Sequence, residues 1–334
     1  VNALPGWPGE GSPYHPGEMA VQERAGVRER AEKAGRRVIR DFMPDQHREL
    51  FAKLPLLLVG SLDAQGRPWA SLLVGRPGFI ASPDPRTLAV NARPLPGDPL
   101  AAHLVAGAPV GLLGIQLETR RRNRMNGTIV EAGDGGFVVE VGQSFGNCPQ
   151  YIQAREPVFV REPGAAAAPP AAQKEGPILS AGAAALIRRA DTFFIATAAP
   201  AARGGGATEG ADVSHRGGKP GFVRVTEEGG RTLLTSPDFA GNSAFNTFGN
   251  LALNPHAGLL FVDFASGGVL SLTGEAEVLW DGAELAAFAG AQRLLRFRVA
   301  EGVWTDDGVP LRWSAPVAAP QLAATGSWED VERA

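Results

Sequence analysis

The chain has 334 residues, 44% of them hydrophobic and 20% charged, with a formal net charge of −3. That length suits two domains, and the near-neutral balance excludes a general basic field for nucleic acid or an acidic membrane surface. A single cysteine, Cys148, excludes an internal disulfide framework and any multi-cysteine zinc or iron–sulfur site.

No apolar run is long enough to span a bilayer, and prolines and glycines stand near the N-terminus where a signal peptide has its apolar core. A cytoplasmic location is expected, without membrane or nucleic-acid partners. The 43 glycines and 27 prolines, with little helical periodicity, predict a mainly β protein of short strands and tight turns.

Residues 1–55 read as an arm with helices: an extended start to Gly17, a helix from Glu18 to Arg40, and a shorter helix opened by Pro44. The shorter helix carries Leu50, Phe51 and Leu54 on one face. A first β unit is expected over 56–161, beginning with the strand at Leu56–Leu62 and interrupted by a helix at Asp98–Val105. Residues 162–177 are alanine- and proline-rich and predict a linker. Residues 178–328 then repeat the order of elements.

The repeat is visible in the residues. Pro77-Gly78-Phe79 returns as Pro220-Gly221-Phe222, an offset of 143, and Arg86-Thr87-Leu88 returns as Arg231-Thr232-Leu233, an offset of 145. Gly111-Leu112-Leu113 returns as Gly258-Leu259-Leu260, an offset of 147. Ordered matches with a slowly drifting offset indicate duplication with small loop insertions. A fused pair of this kind can pack half against half as a single-chain pseudo-dimer, with a homodimer of the fused units left open.

The loops of the second copy offer the chemistry. Asp212 to Gly221 brings a hydroxyl, cations and glycines, namely Ser214, His215, Arg216, Gly217 and Lys219, which suits an anion cradle or an exposed polar hairpin. Asn242, Asn246 and Asn250 recur every four residues and would share one face of a helix. The run Arg120, Arg121, Arg122 and Arg124 reads as an exposed hairpin or as a binder of anions. Pro149, after Cys148, suits a helix start. The five histidines show no metal-ligand spacing, and no Ser-His-Asp or dinucleotide-binding pattern occurs.

The runs FGNCPQYIQ (Phe145 to Gln153), DVSHRGGKPGFV (Asp212 to Val223) and PDFAGNSAFNTFGN with NPHAGLLF (Pro237 to Phe261) resemble the pyridoxamine 5′-phosphate oxidase-like family of FMN-binding split β-barrels, in a duplicated branch. The resemblance implies a tandem duplicated split barrel with FMN in a groove between the barrels. It places Ser214, Arg216, Gly217, Lys219, Asn242 and Asn246 around the phosphate and ribityl chain, with Asn250 continuing the stripe. Phe222, Val223, Pro237, Asp238 and Phe239 would line the ring. Arg124, Phe145, Asn147, Cys148 and Gln150 would form an opposing wall, and the first copy's own site would be degenerate.

An FMN-dependent oxidoreductase acting on an unidentified small molecule follows, with catalytic residues unassigned and no metal. The basic residues that end the second and third strands in true pyridoxamine phosphate oxidases have no clear counterparts, so another substrate is expected. The chain ends soon after Trp328, so an electron donor would come as a separate flavin or iron–sulfur reductase. The alternative is a flavin or haem carrier, or a partner subunit, without turnover.

Overall fold

The computed structural model describes residues 4–164 and 171–333. The arm comprises α1 (Pro16–Arg24) and α2 (Arg28–Val38), followed by α3 (Asp45–Lys53). The single helix expected from Glu18 to Arg40 is broken at Gly26, whose φ of +69° places it in the left-handed region that ends helices.

The first barrel is built from β1 (Leu56–Leu62), β2 (Pro68–Val74), β3 (Ile80–Ala81), β4 (Thr87–Val90), β5 (Pro109–Gln116), β6 (Arg121–Gly133) and β7 (Gly136–Asn147). Their sheet order is β2-β1-β5-β6-β7-β4-β3. Only a short 3-10 turn, Pro99–Ala102, stands where a helix to Val105 was expected. Asp98 opens that turn, accepting from Leu100 N.

Two short strands follow, β8 (Pro157–Phe159) and β9 (Ala172–Glu175). β9 pairs with the long strand β16 (Ala291–Thr305), so part of the expected linker is sheet edge. The rest of that stretch includes 165–170, outside the described residues. No helix follows Pro149; Tyr151 there has φ +61° and its ring stacks on Phe239 at 5.0 Å.

The second unit runs α4 (Ala181–Arg189), β10 (Thr192–Ala198), β11 (Ala211–Gly217), β12 (Arg224–Glu228), β13 (Arg231–Phe239), α5 (Asn246–Leu253), β14 (His256–Val262), β15 (Val269–Leu279), α6 (Ala283–Ala287) and β16. Its order, β11-β10-β14-β15-β16-β13-β12, repeats that of the first barrel strand for strand. Register agrees too: Gly60 faces Gly111 and Leu58 faces Leu113 in one half, as Ala196 faces Gly258 and Phe194 faces Leu260 in the other. The fold is therefore a tandem duplicated split barrel, mainly β with flanking helices. β17 (Leu311–Trp313) crosses back to pair with β8, and α7 (Trp328–Arg333) packs Trp328 against Phe288.

Each barrel has its own core, around Phe51, Leu57 and Met125 in the first and Phe193, Phe261 and Phe297 in the second. A third apolar cluster, with Leu58, Leu72, Leu113, Phe194, Val213 and Leu260, is drawn from both halves and joins them. Removing this apolar surface from water is the main force holding half to half. The seam is tight where both copies of one position are glycine. A methyl on Gly111 would lie 2.6 Å from Asp212 Cα, and one on Gly258 would lie 2.6 Å from Pro68 O. Each barrel so lets the other's second strand approach its backbone, which gives the seam approximate two-fold symmetry.

Candidate functional site

The basic run sits at the β5–β6 hairpin, with Arg120 in its turn and Arg121, Arg122 and Arg124 on β6. Alternation along the strand puts Arg122 and Arg124 on one face, while Arg121 is exposed and donates to Gln46 O. β11 lies across the seam from this face. Arg124 is buried, ion-paired to Asp212 at 2.9 Å, and donates to Asn246 Oδ1 at 2.7 Å, to Val213 O and to Ser214 Oγ. Thr247 Oγ1 donates to Ser214 Oγ at 3.1 Å, tying the start of α5 to the same cluster.

Beside this cluster lies a cavity of about 390 Å³. Arg122, Arg124 and Asn147 come to it from the first barrel; Ser214, His215, Arg216, Asp238, Phe239, Phe248, Trp280 and Arg293 come from the second. The arm adds Ala25, Val27 and Arg30. Among the described residues, five arginines line it against one carboxylate, Asp238. Arg293 takes that carboxylate, with contacts of 2.9 and 2.8 Å, and Arg216 reaches it only at 3.9 Å.

Among the described residues Arg122 has no ion pair; its Nε donates to Cys148 O at 2.7 Å. Burial, and then the like charges of Arg124 and Arg216, push its guanidinium down to about 9. Burial likewise holds His215 well below the usual histidine range, with Arg122 and Arg216 adding to the effect, so its ring is neutral. Among the described residues, Arg216 Nε, His215 Nε2 and Asn147 Nδ2 are buried without hydrogen-bond partners. A guanidinium taken from water without a counter-charge costs several kcal/mol, which an anion bound beside it offsets. The charge of this lining is of the kind that favours an anionic ligand.

The expected site residues fall into three groups. Ser214, Arg216, Asp238, Phe239, Asn242 and Asn246 line the cavity, facing Arg124 and Asn147. Gly217, Pro237, Cys148 and Gln150 line a neighbouring niche of about 60 Å³ that shares Arg122, His215 and Arg216. The rest sit elsewhere. Phe222 and Val223 belong to the second barrel's core, where Phe222 stacks on Phe193 at 5.6 Å. Lys219 Nζ donates to Thr325 O, outside both spaces. Phe145 is buried against Tyr14 and Ile39, with the Arg124 guanidinium 5.3 Å from its ring.

The asparagine stripe also differs from expectation. α5 starts at Asn246, after Phe245 with φ +61°, so Asn242 lies in the preceding loop and caps Ala244 N. Asn250 is spent on structure, donating to Thr197 Oγ1 at 3.0 Å and lying 2.9 Å from His15 Nε2. Arg293, Trp280 and Gln292 line the cavity without any local motif to announce their role, brought there by β15 and β16, while Phe245 and Phe248 come from the run Pro237 to Asn250 without having been singled out.

The matching registers allow the other half of the seam to be read position by position. Where the cavity has His215, Arg216, Arg122 and Arg124, the corresponding positions hold Leu72, Leu73, Val269 and Ser271. Ser71, the counterpart of Ser214, donates to Asp98 at 2.7 Å. That half carries no equivalent cation cluster among the described residues. No helix of the described residues is long and apolar enough to cross a membrane, and none of their His, Cys, Asp and Glu side chains form a cluster able to hold a metal ion.

Residues 179–302 match the family model described as pyridoxamine 5′-phosphate oxidase. Among solved structures, the chain is similar to HupZ of Group A Streptococcus, at 13% identity over 36% of this chain and 90% of that one, TM-score 0.28. It is similar to a Clostridium acetobutylicum protein related to general stress protein 26, of the pyridoxinephosphate oxidase family, at 13% identity over 45% and 94%, TM-score 0.25. It is also similar to HutZ, the haem storage protein of Vibrio cholerae, at 14% identity over 39% and 95%, TM-score 0.24. No curated protein matches the chain.

Proposed function

We propose that this chain, whose residues 179–302 belong to the pyridoxamine 5′-phosphate oxidase-like split-barrel family, binds FMN at the seam between its barrels and serves as an FMN-dependent oxidoreductase on a small molecule. The observation that carries the reading is the pair Arg122 and Arg216, two guanidinium groups at one cavity, the first with no ion pair among the described residues and the second with only a 3.9 Å contact. A phosphate dianion supplies the missing charge, and guanidinium groups match its oxygens two at a time.

The space suits the group. A volume of about 390 Å³ lies in the range of small-molecule pockets, roughly 300–1,000 Å³. Arg122, Arg216 and Ser214 would take the phosphate, with Asn147 and Asn246 as further polar partners. Phe239, Phe248 and Trp280 offer aromatic surface for a planar ring. Bound FMN supplies hydride and electron transfer, and the protein supplies orientation, charge and exclusion of water.

Titration with FMN and with riboflavin, which lacks the phosphate, tests the reading. Quenched FMN fluorescence with riboflavin about 100-fold weaker supports it, since charge-assisted hydrogen bonds contribute about 1.5–3 kcal/mol each. Unchanged FMN fluorescence at saturating protein would sink it. A second reading, a haem or flavin carrier without turnover, draws on His215, a neutral imidazole in the cavity wall of the kind that ligates haem iron. A Soret shift on haem titration, abolished by His215→Ala, would favour haem carriage. Bound FMN that is reduced by no donor would favour flavin carriage.

A further inference from the structure

The arm lends Val21 of α1 to the second barrel's core and ties both barrels together above the cavity. On the side of the first barrel, Arg40 and Ser144 exchange backbone hydrogen bonds of 3.1 and 2.7 Å, and Gln143 Nε2 donates to Pro13 O at 2.8 Å. On the side of the second, α1 lies across α5 with Gly17 against Gly249. A methyl on Gly17 would fall 2.2 Å from Gly249 O, and one on Gly249 would fall 2.4 Å from Glu18 Cγ. Gln22 Nε2 donates to Ala244 O at 2.9 Å in the same contact.

This close seating brings Glu18 against Asn246, a residue of the cavity wall. Its carboxyl is buried, accepts from His15 N at 2.9 Å, and accepts from the Asn246 amide. The Asn246 oxygen in turn accepts from Arg124 at 2.7 Å. An asparagine side chain has one acceptor end and one donor end, so Glu18 on the donor end fixes which end meets Arg124. Beyond Arg124 the chain of contacts continues to Asp212 and Ser214.

We propose that Glu18 is a positioning residue of the anion site, acting through Asn246 on Arg124, and that the arm carrying it is the wall that retains the bound anion. The inference rests on the reading of the cavity as a phosphate site. It differs from a plain brace between barrels, which would change stability and leave ligand kinetics untouched. Without the Glu18 carboxyl the amide is free to turn, and Arg124 loses one of its acceptors. With α1 lifted from α5, Val27 and Arg30 leave the cavity and open a path to solvent.

The test uses the full chain, with FMN and inorganic pyrophosphate as probes. Gly249→Val forces a side chain into Glu18, and Gly17→Val makes the same clash from the arm should the first variant fail to fold. Glu18→Ala removes the contact, and Glu18→Gln restores an acceptor. Hydrogen exchange over residues 16–38 reports arm release, thermal unfolding reports the barrels, and stopped-flow dilution reports probe dissociation. The expected result is dissociation at least about 10-fold faster in the valine variant and in Glu18→Ala, with Glu18→Gln close to the parent. An arm freed by exchange, with both probes leaving at the parental rate, would overturn the inference while the cofactor reading stands. Arm-dependent binding of pyrophosphate without FMN binding would sink the cofactor reading and leave this one intact. Binding of neither probe would end both.

Discussion

Glu18→Gln isolates one proton in the arm. Burial raises the Glu18 carboxyl from its ordinary 4.5 to about 8, against the pull of His15 N–H and the Asn246 amide; Asp212 adds to the rise and Arg124 opposes it. The folded protein then holds a proton that the unfolded chain gives up above about 4.5. Its contribution to stability is full below that pH, is lost as pH rises toward 8, and is constant beyond. At about 1.36 kcal/mol per pH unit, the whole window is worth at most about 5 kcal/mol. His15, 3.7 Å away, is lowered by burial and gives the opposite slope below its ordinary 6.5, so the clean interval runs from about 6.5 to 8. There the parent should lose about 2 kcal/mol relative to Glu18→Gln, whose neutral amide cannot ionise. Urea unfolding of both proteins at half-unit pH steps measures the difference. Parallel stability curves across the interval would refute a buried, protonated Glu18.

Three other outcomes follow from the same structure. Arg122→Ala and Arg216→Ala should each weaken FMN binding by roughly 10- to 100-fold, while scanning calorimetry shows an unchanged or raised unfolding temperature, because an uncompensated charge has left the seam. Gly111→Val and Gly258→Val should each destabilise the protein by about 3 kcal/mol in urea unfolding, since the added side chain meets the other barrel's backbone at Asp212 or Pro68. FMN affinity should fall as salt is raised while riboflavin affinity changes little, as expected when the phosphate charge carries the contact.

The duplication was legible because strand patterns and the glycines that allow backbone approach are local. Gly111 and Gly258 recur at the offset that the register later explains. Helix ends were less so: Gly26 breaks the arm helix within an otherwise helical composition, and the turn at Asp98 is too short to form an α-helix. At the site, Ser214, Arg216 and Asn246 stood out because polar residues on a loop-and-strand motif carry their own signal. Phe222 looked like part of the same run, yet its ring turns into the barrel core. Arg293 and Trp280 lie far along the chain on β16 and just past β15, and only sheet closure brings them to the cavity. The Glu18–Asn246 contact joins residues 228 apart and left no trace in either segment.

The central claim is that the fused barrels keep one anion site and have lost its symmetric partner, with Leu72, Leu73, Val269 and Ser271 in place of the cation cluster. Equilibrium binding of FMN at protein concentrations well above the dissociation constant measures this directly. One FMN per chain, abolished in Arg122→Ala/Arg216→Ala, is the result expected. Two per chain, or one that survives loss of both arginines, would contradict it.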